Sequence, residues 1–290
     1  MSDTKILFVH GRAQGGRTAD AIKAEWLKAL REGLGDRASI LDGRVVDLPF
    51  YGDELDRFVK EAAAALPADL NVRGDVAGID PEFLQFQYEM FEEARRQEGL
   101  SEAQVMANME GDHLDRGPLN WRWVQAIMRT LNRIPGLDGD LIERFTRDVW
   151  IYLNRTLVRK TVNKIVGDRI GGGGLVVVAH SLGTVVAFDI LREAAGPDVR
   201  LFLTMGSPLG IDAIRKRVSP IRHPPVARAW YNARDTRDVV SLYPLSPSYF
   251  AVSPAINNYD RVRNRSDNAH HISGYLNDTT VAEQIYNALL

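Results

Sequence analysis

The residues best suited to chemistry lie in Leu175-Val-Val-Val-Ala-His-Ser-Leu-Gly-Thr184. An apolar run reaches Ser181, the small residues Ala179 and Gly183 flank it, and a helical pattern through Val185, Val186, Phe188, Ile190 and Leu191 follows at once. β-Branched residues pack well on a pleated sheet, so Leu175 to Ala179 predicts a buried parallel strand. Almost no loop separates strand from helix. A turn that tight strains its central residue and requires small neighbours. Ser181 Oγ would then project from the top of a sheet at a helix N-terminus, the arrangement known as a nucleophile elbow. A plainer outcome of the same pattern is a serine that only caps a crossover helix.

A serine alkoxide is out of reach at neutral pH, so Ser181 needs a base within hydrogen-bond range. Histidine is the usual base, and its second nitrogen needs a carboxylate to fix the tautomer and stabilise the imidazolium. Beyond Ser181 the chain carries Asp235-Thr-Arg-Asp238-Val-Val after one apolar run, then His270-His271-Ile-Ser-Gly-Tyr-Leu276. Both aspartates and both histidines are candidates by type and position. His10, just after the first apolar run, and Ser207, after another, end strands on the same expected edge. His180 is expected to pack behind its strand and His10 to order its loop. His113 and His223 have no placed partner, and no spacing suggests a metal site.

These segments resemble the α/β-hydrolase superfamily, and within it serine lipases and esterases. The resemblance rests on Val9-His-Gly11, Ala179-His-Ser-Leu-Gly183, Asp238-Val-Val and the late His-x-x-x-Gly-Tyr-Leu276. Ala179 departs from the commoner Gly at the first elbow position. The family triad runs in the order Ser, Asp, His. The resemblance therefore implies Ser181 as nucleophile, Asp238 rather than Asp235 as acid, and His270 rather than His271 as base. It also implies an oxyanion hole built from the backbone amides of Arg12 and Leu182, each such donor being worth roughly 3 kcal/mol in the transition state. The implied activity is hydrolysis of carboxylic esters, on a small acyl ester or a lipid, through an acyl-enzyme and without a cofactor. A thioesterase, peptidase or acyltransferase could use the same residues, and a non-catalytic ligand-binding protein could keep the fold.

Positioning those residues requires an α/β sheet. Lys5 to Val9 predicts the first strand, followed by a Gly-rich turn and a helix carrying Ala21, Ile22, Trp26, Leu27 and Leu30. The dinucleotide-binding Gly-x-Gly-x-x-Gly order is absent there. Ala38 to Leu41 and Arg44 to Leu48 predict a second strand region. From about 53 to 147 the pattern stays helical, far longer than the dozen or so residues a crossover needs. It reads as an inserted helical layer, or cap, within a single domain spanning 1–290. In it, Trp121, Val124, Ile127, Met128 and Leu131 share one face, either a lid over an acyl pocket or an ordinary core face. Asp148 to Val166 predicts one long helix. Val199 to Met205, Ala227 to Asn232 and Ile256 to Val262 predict the later strands, and Val281 to Leu290 the final helix. This alternation predicts mainly parallel strands with helices on both faces, and ligands outside the strands' carboxyl ends.

Composition bounds the function classes. The formal net charge of −2, with basic and acidic residues interspersed, gives no general reason to expect nucleic acid. The chain has no Cys, which removes disulfides, thiolate metal sites and a cysteine nucleophile. No stretch approaches a membrane span and no signal segment is visible, so a soluble cytoplasmic protein is expected. Oligomeric state is not encoded legibly.

Overall fold

The computed structural model describes residues 4–11, 16–64, 80–109, 121–134, 139–264 and 268–290. Its centre is one sheet of strands β1 (Lys5–Val9), β2 (Val46–Asp47), β3 (Gly174–His180), β4 (Asp198–Met205), β5 (Trp230–Ala233) and β6 (Asn257–Tyr259). The spatial order is β2-β1-β3-β4-β5-β6, and every neighbouring pair is parallel. The chain runs outward from β1 to β2, then crosses back to place β3 on the other side of β1. Such a reversal opens a crevice at the carboxyl ends of the two strands. Val9 of β1 pairs with Ala179 of β3, and His180 pairs with Met205 of β4, so these strand ends lie side by side.

Period-two alternation sorts the strand residues between two cores. Ile6, Phe8, Val176, Val178, Leu201 and Leu203 face helix α1 (Ala19–Leu34) and the C-terminal helix. Leu7, Val9, Val177, Ala179 and Phe202 face the opposite way, into a cluster shared with the inserted helices. The insertion comprises α2 (Gly52–Ala64), α3 (Pro81–Gln97), α4 (Glu102–Met106), α5 (Trp121–Leu131) and α6 (Gly139–Asn154) among the described residues. Leu55, Phe86, Val124 and Phe145 from these helices join the same apolar cluster as β1 and β3.

Several expectations change, and the strands expected over Arg44 to Leu48 and Ile256 to Val262 shorten to Val46–Asp47 and Asn257–Tyr259. Ala38 to Leu41 is not a strand but part of a 3₁₀ helix, Gly35–Leu41. Only Leu41 of that segment is fully buried, so no alternating face demands sheet pairing. Asp148 to Val166 is not one helix. It breaks at Arg155, which has extended backbone (φ −101°, ψ 99°) and starts α7 (Thr156–Gly167). The break lets α7 fold back so that Tyr152 Oη reaches Asn163 Oδ1 at 2.7 Å. The strand expected over Ala227 to Asn232 is shorter and shifted, with Ala227 held only by an isolated bridge to Val199. On α5, Trp123, Val124, Ile127 and Leu131 are buried and Met128 packs against them. That face belongs to the core, and the side chain of Trp121 lies outside the described residues. No helix among the described residues is long and apolar enough to cross a membrane.

Candidate active site

Ser181 sits between β3 and helix α8 (Leu182–Leu191) with φ 57° and ψ −131°. Among the described residues it is the only non-glycine at positive φ, a conformation that costs an L-residue energy and persists only where surroundings enforce it. Its neighbours enforce it here. A Cβ on Gly183 would overlap the Val9 carbonyl oxygen, so only glycine lets the start of α8 approach β1 this closely. A Cβ on Gly11 would lie 2.8 Å from Ser181 Cβ. The Thr184 hydroxyl donates to the Ser181 carbonyl at 2.8 Å, and the Ser207 hydroxyl donates in turn to Thr184 Oγ1 at 2.8 Å. Ser207 is buried and braces the turn from the loop after β4.

Although Ser181 occupies the N-cap position of α8, its side chain makes no capping bond. Its hydroxyl lies 2.8 Å from Nε2 of His270. His270 Nδ1 lies 2.8 Å from Asp238 Oδ2. An ionised carboxylate only accepts, so Nδ1 carries the proton and the Ser181 hydroxyl donates to Nε2. The Val240 amide donates to Asp238 Oδ1 at 2.9 Å, and the Tyr275 hydroxyl donates to Oδ2 at 2.6 Å. Burial pushes the Asp238 carboxyl up, but the His270 charge and these hydrogen bonds outweigh it and hold the group below the usual carboxylate range. Gly206, at φ 55°, passes so close that a Cβ would lie 3.0 Å from Asp238 Oδ2 and 3.1 Å from His270 Nδ1.

The alternative candidates have other partners. Asp235 takes an ion pair from Arg237 at 2.6 Å and the Asn264 amide at 2.8 Å. It fixes the loop that carries Asp238. His271 caps the short helix α9 (Ile272–Leu276) by accepting from the Ser273 amide. His180 is buried, and its Nε2–H donates to the His270 carbonyl at 2.9 Å. Burial, aided by the neighbouring His270 charge, lowers the His180 pKa well below the ordinary histidine value. His10 accepts the Tyr51 amide at Nε2 (3.2 Å) and donates from Nδ1 to the Gly11 carbonyl (2.7 Å). Its ring stacks on Tyr51 at 4.0 Å, and burial lowers its pKa to about 4. His223 packs against Trp230, away from these groups. Arg12 and His113 lie outside the described residues.

Beside Ser181 opens a cleft of about 150 Å³. Trp26 and Leu141 supply apolar wall, Leu141 coming from α6 of the insertion, while Arg17, Glu25 and His271 supply a polar rim. Arg17 and Glu25 form a 2.6 Å ion pair. Leu182, the first residue of α8, puts its amide at a helix N-terminus, where backbone N–H groups and the helix dipole favour negative charge. Among the described residues no group of three or more metal-ligating side chains converges.

Tyr275, Thr184 and Gly206 support the site without having been singled out for a role by residue type. A tyrosine near the end of the chain reads as core, and a hydroxyl aimed at a carboxylate is visible only in three dimensions. Gly206 offered the better signal, as a glycine immediately after a buried strand. No family model, curated protein or solved structure matches the chain.

Proposed function

We propose that this chain is a serine hydrolase of the α/β-hydrolase type that cleaves carboxylic esters through an acyl-enzyme. One observation carries the reading: Ser181 Oγ, His270 and Asp238 form a continuous hydrogen-bonded line, each link 2.8 Å, at the crevice where the strand order reverses. Ser181 Oγ attacks the ester carbonyl as His270 Nε2 takes its proton. The tetrahedral oxyanion is held by the Leu182 amide and, on this reading, by the Arg12 amide. His270 then protonates the departing alcohol. Water repeats the sequence on the acyl-enzyme and frees the acid. Asp238 holds the imidazole by Nδ1 and balances its charge while it is protonated. The inserted helices act as a cap, with Leu141 on the cleft wall. The cleft of about 150 Å³ beside Ser181 has room for a small acyl group against Trp26 and Leu141.

A fluorophosphonate probe should label the folded protein, and peptide mapping should find the label on Ser181. Ser181→Ala should lower turnover of p-nitrophenyl acetate by roughly 10⁴-fold or more. Full activity in that variant would sink the proposal. Absence of labelling in folded protein would favour a ligand-binding role on the same fold.

A further inference from the structure

We propose that Tyr275 is a positioning residue that sets how strongly Asp238 supports a proton on His270. Two donors converge on one oxygen: the His270 Nδ1–H at 2.8 Å and the Tyr275 hydroxyl at 2.6 Å both end on Asp238 Oδ2. The Asp235 amide donates to Tyr275 Oη at 3.2 Å. That bond occupies the acceptor side of the phenol and leaves its single proton to point at Asp238. Tyr275 is fully buried, so the phenol has no water to turn to.

The consequence follows from sharing. A short charge-assisted hydrogen bond from the phenol draws negative charge away from Oδ2. Less charge is then available to stabilise the imidazolium that His270 becomes when it takes the serine proton. Tyr275 therefore restrains the base by taking a share of the carboxylate charge that would hold the imidazolium. The arrangement needs close quarters, and the loop residue Gly206 provides them, because a side chain there would crowd both Asp238 and His270. Other groups face the same pair. His180 lies 4.6 Å away ring to ring, and the Ser241 hydroxyl faces the phenol. Asp235 is neutralised by Arg237, while His271 sits next in the chain, 3.7 Å from Glu25, which Arg17 pairs. Removing the phenol oxygen alone leaves all these charges in place, and only the neutral Ser241 hydroxyl loses a neighbour.

The test is the pH at which the His270 imidazole takes its proton, followed by NMR in the full chain, which requires no turnover. In Tyr275→Phe the midpoint should rise by about half a pH unit. Replacing Tyr275 with a ring-fluorinated tyrosine makes the phenol a stronger donor and should move the midpoint the other way. A residue that only fills space would not give opposite shifts. Unmoved midpoints in both proteins would overturn the proposal. The catalytic consequence rests on the hydrolase reading, and the acid limb of kcat/KM for p-nitrophenyl acetate should shift in parallel. Should the midpoints move while the wild-type protein neither hydrolyses the ester nor takes the fluorophosphonate, the hydrolase reading fails and the Tyr275 coupling stands.

Discussion

Asp235 and Asp238 are both buried, and each has a full set of partners. Only Asp238 meets a histidine. Asp238→Asn keeps the shape but presents an N–H to His270 Nδ1, which forces the wrong tautomer. Turnover should fall by roughly 10³–10⁴-fold, with a stability loss of about 1–3 kcal/mol because the buried Tyr275 hydroxyl loses its acceptor. Asp235→Asn breaks the Arg237 pair and weakens the Asn264 contact, so it should lower the unfolding midpoint while leaving kcat per folded molecule within a few-fold. Likewise His270→Ala should abolish ester hydrolysis, whereas His271→Ala should only fray α9. Measuring kcat beside urea unfolding for the four variants separates the roles. Interchanged behaviour of the aspartates or of the histidines would overturn the assignments. The residue types and their order after Ser181 were legible in the sequence. Residue type and position leave both aspartates open, and the resemblance favours Asp238; which of them turns inward toward histidine depends on the turn closed by the Asp238 amide on the Asp235 carbonyl.

At the scale of elements, the serine is only as well placed as helix α8, and α8 is anchored at its far end. Asp189 accepts from Arg159 and Asn163 on α7 and from Arg192 just beyond α8. Burial pushes the Asp189 carboxyl up, and the Arg159 and Asn163 hydrogen bonds pull it back below its ordinary value. Arg192 also donates to the Pro220 carbonyl, which ties in the chain after β4. Removing one partner of a buried ion cluster strands the others without compensation. Asp189→Ala should therefore cost about 3 kcal/mol or more of stability by urea unfolding, although Asp189 lies well along α8 from Ser181. A loss below 1 kcal/mol would mean that water satisfies the arginines. The strand-turn-helix around Ser181 was legible because β-branched runs, small flanking residues and helical spacing agree there. The kink at Arg155 was not, since no Gly or Pro marks it. The fold-back is set by the meeting of Tyr152, Asn163 and Asp189, which lie far apart in sequence.

For the whole molecule, the crevice is built over neutral buried imidazoles, and that ties stability to pH. His10 lies beneath the turn that carries Gly11, and its pKa falls from 6.5 to about 4 on folding. His180, beneath His270, is shifted the same way by burial. Between pH 6.5 and 4 the unfolded chain binds protons at these sites that the folded chain refuses. Stability from this source is present in full above 6.5 and drains away as pH falls toward 4. For His10 the shift corresponds to about 3 kcal/mol. Glu93, which accepts the Asp212 and Ala213 amides, works in the opposite sense, because burial raises its pKa and folding then favours its protonated form. The lowered carboxylates Asp189 and Asp238 contribute only further down: their stabilisation is lost as pH falls below the ordinary aspartate value of 3.8. The acid limb should thus begin near the histidine range, well before carboxylates protonate. His10→Gln removes one titrating group and keeps a side chain able to accept the Tyr51 amide. It should be less stable than wild type at pH 7, and that gap should close by about 3 kcal/mol on going to pH 4. Urea midpoints across this range provide the check. Parallel curves for the two proteins would show that His10 does not carry the pH dependence.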